Sequence, residues 1–307
     1  MSAESFRAGV MQRLGLGFDE LCAVKPDIIL LSLSSCGQRG PDSHFAGYAP
    51  LFGAWGGLGW MSGYSDGPPL EMRHVMDHAA GIHAAVATLA ALHQHRRSGK
   101  AQHIDLAARE VASAMIGDAL VQASLGLMPA RPGNRHPSMA PHGVYPTRQP
   151  DRWLTLAVRS DAEWQALARE LDRAAAARDA RFVTARARLE HAVELDALLT
   201  QWLSTCDADL TAERLQRAGV CAHVSWSMCD IARDPHLRAR GATTEVSAPD
   251  IPARLAVGAP ARFSKTREVG IRRLTPSLGQ DEDYVFGELL GLGGAERRDL
   301  ERREVIL

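Results

Sequence analysis

The chain predicts an α/β fold joined to a smaller α+β unit, on three observations. Residues 27–34 (DIILLSLS) form a continuous apolar run bounded by Pro26 and Gly37, the pattern of a parallel strand buried on both faces. A long helical signal follows over 79–97, in which Ile82, Val86 and Leu89 recur at i, i+4 and i+7 while Ala84, Ala85, Ala90 and Ala91 fill the gaps. Beyond residue 150, short strand and helix signals alternate over roughly a hundred residues, an ordinary domain size.

The elements follow in order. Residues 11–17 (MQRLGLG) read as a helix closed by a glycine stop. The loop after the strand at 27–34 is where open α/β sheets place ligands. A Gly/Pro-dense stretch, 63–69 (GYSDGPP), approaches Asp77, and the helix beyond it stops at Ser98-Gly99. Residues 102–106 are a short strand candidate and 108–125 a second helix. Segment 126–150, rich in Pro, Gly, Arg and His, reads as a linker. Then come a strand at 153–158, helices at 162–176, 186–204 and 208–218, and a strand at 220–224. A proline-bearing stretch, 248–260, leads to a tail with short helices at 282–290 and 295–301. The expected organisation is a large domain over 1–125, a linker over 126–150, a small α+β domain over 151–247 and a linker with tail over 248–307.

With 307 residues, 46% of them hydrophobic, the chain can bury one large or two medium cores. A net charge of −1 gives no electrostatic case for nucleic acid or an anionic membrane. Cys22, Cys36, Cys206, Cys221 and Cys229 make no CxxC pair, which argues against a disulfide framework or a zinc site. His78, His83, His93, His95 and His103 do not stand at metal-ligand spacing with carboxylates, so no metal is expected. The apolar run around 28–31 is too short to span a bilayer and no signal-peptide pattern precedes it, so the expected location is the cytoplasm.

Asp77 concentrates the chemistry. An Asp ahead of a helical run reads as an N-cap, or as a nucleophilic carboxylate held at the mouth of a loop-built cleft. Its surroundings carry a series of motifs. These are Gly37-Gln38-Arg39-Gly40-Pro41, Ala46-Gly47-Tyr48, Gly67-Pro68-Pro69, Met76-Asp77-His78-Ala79-Ala80-Gly81 and the segment 97–105 (RSGKAQHID). Gly133-Asn134, Ala140-Pro141-His142-Gly143, Gly258-Ala259-Pro260 and Pro276-Ser277-Leu278-Gly279-Gln280 follow. In order and spacing the whole series resembles family III CoA-transferases, the carnitine dehydratase and bile-acid-inducible (CaiB/BaiF) group that contains formyl-CoA transferase.

The resemblance implies an incomplete doubly wound, Rossmann-like large domain to which the C-terminal tail returns. It implies that the family's N-terminal segment is missing here, either lost or supplied by a separate chain, and that two copies interlock as a homodimer. Acyl-CoA and a carboxylic acid are the implied partners; coenzyme A enters as a thioester substrate, and no cofactor is permanently bound. The Asp of the family's Asp-x-x-x-Gly motif is its nucleophile, which is Asp77 here. By position, Arg13 serves the nucleotide end of CoA and Tyr48 the pantetheine and thioester. Arg13 reads equally as a surface residue satisfying a helix C-terminus.

Such chemistry needs oxyanion donors. The glycine turns at Gly56-Gly57 and Gly143, and the amides after Asp77, are candidates, with an ordinary turn the alternative for Gly56-Gly57. His142 is a candidate for lining the acyl pocket. Two rival functions stay open. One is α-methylacyl-CoA racemase chemistry on the same fold, which needs a second acid/base group where the chain has Tyr48, a poor base at neutral pH. The other is an inactive fragment or structural partner subunit.

Overall fold

Three parallel strands form the sheet of the N-terminal part, in the order β1 (Ser2–Glu4), β2 (Ile29–Ser34), β3 (Gln102–Ala107). The computed structural model describes residues 1–248, 251–266, 271 and 273–306. They divide into two compact units, Met1–Val224 and Ser225–Leu307. Ile28, Ile29, Leu30 and Leu31 are all buried, as a strand covered on both faces requires. The α/β class with a parallel sheet is therefore as the sequence indicates.

The helices of this part are α1 (Val10–Arg13), α2 (Phe18–Val24), α3 (Ala49–Trp55), α4 (Leu58–Met61), α5 (Met76–Ser98), α6 (Ala108–Ala114) and α7 (Gly117–Ser124). The single helix expected over 108–125 is thus two, parted at Met115-Ile116. Gly99 ends α5 in the left-handed region (φ 65°), a conformation that suits glycine. His95 Nε2, in the last turn of α5, lies 3.1 Å from Asp27 Oδ2 just before β2, which ties that end of the helix to the sheet.

The apolar face of α5 is not the one its largest side chains suggest. Met76, Ala80, Ala84 and Ala91 are buried, whereas Ile82, Val86 and Leu89 are 65%, 62% and 66% exposed. Alanines let the helix lie close against β2 and β3; the wider stripe faces outward in this chain.

Within the same unit, β4 (His142–Pro146), β5 (Trp153–Ala157) and β6 (Cys221–Val224) make an antiparallel sheet with β4 at one edge. Helices α8 (Asp161–Glu170), α9 (Ala185–Glu190), α10 (Ala192–Leu203) and α11 (Ala208–Arg217) accompany it. Ser160, Thr184 and Asp207 cap α8, α9 and α11, each side-chain oxygen accepting an N–H of the first turn. Leu154, Leu156, Trp164, Leu167, Leu195, Leu199, Leu203 and Leu215 form a fully buried core. Strand β4 falls inside the segment 126–150 expected as linker. Its prolines disguised it, and an edge strand is where a sheet tolerates proline.

The second unit holds α12 (Met228–Arg233), α13 (Pro235–Ala239), a hairpin of β7 (Thr243–Ala248) with β8 (Ile251–Val257), a π-helical turn Asp283–Leu289 and α14 (Gly294–Arg302). The stretch expected as the second linker, 248–260, therefore contains β8; residues 249 and 250 within it lie outside the described residues.

Candidate active site

The carboxyl ends of β1, β2 and β3 open onto one cleft of about 620 Å³. Ser5, Phe6 and Arg7 line it after β1, Leu33 to Ser35 at the end of β2, and Ala108 after β3. Gly47 to Pro50 and Phe52 enter from the start of α3, and Asp77 and Ala80 from the first turns of α5. A cleft at the carboxyl ends of parallel strands is the ligand position of open α/β sheets. Two contacts fix the loop that runs from β2 toward α3. Gln38 N–H donates to Asp105 Oδ1 at 2.8 Å, and Arg109 Nη1 pairs with Asp42 Oδ2 at 2.7 Å. Gly37 turns this loop with φ 82°.

Asp77 lies one residue inside α5, not at its boundary. Val75 is the N-cap and no side chain caps the helix, so Asp77 is not the structural cap that its place in the sequence offered. Its carboxylate is exposed and faces the cleft from the first turn, where the positive end of a 23-residue helix favours negative charge. The first backbone bond there runs from Ala79 N–H to Val75 O. The N–H groups of Met76, Asp77 and His78 have no backbone partner among the described residues, the usual condition of a helix start. His74 turns the chain into the helix at φ 62°, an uncommon conformation for a non-glycine residue, and its carbonyl accepts a bond from His78 Nδ1 at 2.7 Å.

Of the other expected site residues, Tyr48 joins Asp77. It is the N-cap of α3, is 79% exposed and lines the same cleft. Arg13 does not: it is exposed at the end of α1, outside the cleft lining. Gly56 and Gly57 take the structural alternative. Their N–H groups donate to Phe52 O and Ala54 O, closing α3, so they are not free to hold an oxyanion. A Cβ at Gly56 would stand 2.3 Å from Ala112 Cβ, so glycine is there for close packing of α3 on α6.

His142 and Gly143 line a different cleft, of about 670 Å³, with Tyr64, Arg131, Arg135 and Tyr145. There His142 Nδ1 donates to Asn134 O at 2.6 Å. Tyr145 donates its hydroxyl to Asp196 Oδ1 at 2.7 Å, and burial, more than that carboxylate, raises its phenol above the ordinary range. Phe6 and Arg7 are the site residues that sequence reasoning missed. They follow a three-residue strand too short to signal itself.

Among the described residues, no group of three His, Cys, Asp or Glu side chains is placed to hold a metal ion, and no helix is long and apolar enough to cross a membrane.

The family model for CoA-transferase family III matches residues 2–282. The chain belongs to CoA-transferase family III. It is 33% identical over 308 residues to succinyl-CoA–D-citramalate CoA-transferase of Chloroflexus aurantiacus, covering all of this chain and 76% of that protein. It is 32% identical over 289 residues to succinate–glutarate CoA-transferase of Agrobacterium fabrum, covering 93% of this chain and 71% of that one. Among solved structures, a CaiB/BaiF family protein from Brucella suis superposes with a TM-score of 0.83 at 27% identity, over 94% of this chain and 74% of its own. The enzyme class and the fold expected from the motifs are thus those of its relatives.

Proposed function

We propose that this CoA-transferase moves coenzyme A between carboxylic acids through an aspartyl-CoA intermediate on Asp77. The observation that carries the proposal is the carboxylate itself: exposed in the cleft at the strand ends, at a helix N-terminus, and not spent on capping. Asp77 Oδ attacks the donor thioester carbonyl, the C–S bond breaks, and the products are a mixed anhydride and CoA thiolate. The thiolate then attacks the Asp77 carbonyl carbon and releases the first acid as its carboxylate, leaving aspartyl-CoA. The acceptor carboxylate attacks that thioester, and the thiolate returns to the acceptor's acyl carbon, regenerating Asp77. Covalent catalysis of this kind divides one difficult exchange into easier steps.

Each tetrahedral oxyanion needs donors already in place. With Gly56 and Gly57 closing α3, the first-turn amides of α5 take that part. Tyr48 stands at the cleft beside the thioester, and Arg13 is assigned to the nucleotide end of CoA. The proposal includes an interlocked homodimer, with His142 and Gly143, which line a second cleft, as candidates for the acyl pocket.

The acids are proposed to be dicarboxylic, as succinate, glutarate and citramalate are in the names of the two relatives. Racemase chemistry would need a second base facing Asp77. No histidine lines this cleft among the described residues, and His44 packs edge-on against Phe45 at 4.8 Å. Asp77→Ala should abolish transfer while leaving the circular dichroism spectrum unchanged. Transfer that survives in a folded Asp77→Ala protein would remove the mechanism.

A further inference from the structure

We infer that Arg131 is a positioning residue that fixes the loop delivering Asp77 to its cleft, an assignment that rests on the transferase reading above and deepens it. The loop spans 62–75, between α4 and α5. Its own sequence anchors its end weakly: Val75 takes the N-cap place of α5 without a side-chain cap, and His74 enters at φ 62°. The place of the first turn, and so of Asp77, is set by what holds the loop. Arg131, in the segment between α7 and β4, holds it from outside. Its Nε donates to Tyr64 O at 3.0 Å and its Nη2 to Gly67 O at 2.8 Å. The same guanidinium stacks on Trp60, its carbon 4.8 Å from the ring centroid.

Neighbouring contacts extend this bond into a seam. Gly133 N–H donates to Gly63 O at 2.8 Å, and Asn134 Nδ2 donates to the Tyr64 hydroxyl at 2.9 Å. Farther along, the Glu71 carboxylate rests on Gly53 of α3 and Gly59 of α4, where neither has a Cβ to block it. The bonds from Arg131 are charge-assisted, about twice as strong as neutral ones, and its stack on Trp60 adds to them. Tyr64, Asp66, Leu70, Met72 and His74 are exposed, so the loop brings little buried area to the core, and its release costs geometry more than folding. A displacement of about 1 Å at a reacting group can cost about 100-fold in rate. Tyr48 is carried by α3 and not by this loop, so binding of the thioester depends on Arg131 less than the position of Asp77 does.

The test is steady-state transfer from succinyl-CoA to glutarate by the full chain. Arg131→Ala should lower kcat roughly 10- to 100-fold and change KM for succinyl-CoA by less than about threefold. Ethylguanidinium added to that variant should raise its kcat saturably, and should not raise that of the wild type. Arg131→Lys should fall between the two, because an ammonium supplies charge without the planar fork that reaches two carbonyls. A general loss of structure would not give guanidinium rescue at constant KM. Wild-type kcat in Arg131→Ala, or a loss confined to KM, would overturn the assignment. If that variant does not fold, Arg131→Lys decides: a lower kcat at constant KM supports the assignment, and wild-type kcat overturns it. Hydroxylamine trapping separates the two levels. With no adduct at Asp77 in the wild type, the transferase mechanism fails and the assignment with it. With an adduct that forms as fast in Arg131→Ala as in the wild type, only the assignment of Arg131 fails.

Discussion

Gly56→Ala should damage the cleft from a distance. The new Cβ would lie 2.3 Å from Ala112 Cβ and 2.7 Å from Arg109 O. Carbon atoms pack at about 3.5–4.0 Å, so α3 would have to withdraw from α6 by about 1.2 Å or more. Ala112 is fully buried on a short helix, and the second clash is with backbone, so neither can swing aside. Overpacking of this kind costs about 1–3 kcal/mol. In a unit of this size that corresponds to roughly 2–12 °C in Tm. Because Tyr48, Ala49 and Pro50 at the start of α3 line the cleft, kcat/KM should fall as well. Thermal unfolding and steady-state transfer, measured on the same preparation, make the assay. An unchanged Tm with reduced kcat would refute the packing role and return Gly56 to the oxyanion site.

Arg188 is fully buried, donates to Ala140 O at 2.7 Å and Phe182 O at 3.0 Å, and pairs with Asp161 at 3.0 Å. Arg188→Met leaves two buried carbonyls without their donor and should cost about 2–5 kcal/mol by urea unfolding. The side chain of Arg181, more than its backbone amide, holds the Asp179 carboxyl at about 2, below its ordinary 3.8. A depressed folded-state value means stabilisation that is complete above 3.8 and lost as pH falls toward about 2. The Tm difference between wild type and Asp179→Asn should therefore be present at neutral pH, shrink across that window and vanish below it. Light scattering at low micromolar concentration should return the mass of a dimer, as an obligate interface of over ~2,000 Å² requires, and a monomer that turns over acyl-CoA would defeat the interlocked assembly.

Much of the fold was legible because its signals are local. The apolar run at 27–34 could only be a covered strand, and Gly99 marks the end of α5 as its sequence position suggests. What failed depends on neighbours. The outward turn of Ile82, Val86 and Leu89 was invisible because periodicity gives a stripe, not the side on which the sheet lies. Strand β4 was hidden by prolines that an edge position tolerates. At the site, Asp77 and Tyr48 share one cleft, but the glycines could not be sorted from sequence. Gly56 and Gly37 share a residue type, yet one serves close packing and the other a left-handed turn. Phe6 and Arg7 were missed because the strand that delivers them to the cleft is only three residues long and leaves no periodicity to read.

The most direct test is to isolate the covalent intermediate. Incubation of the protein with succinyl-CoA, rapid quenching and peptide mass spectrometry should find CoA attached through a thioester to the peptide containing Asp77, and hydroxylamine should convert that residue to a hydroxamate. The Asp77→Ala protein should show neither product. Transfer by the wild-type protein with no adduct on that peptide, or an adduct on another carboxylate, would contradict the assignment of Asp77 as nucleophile.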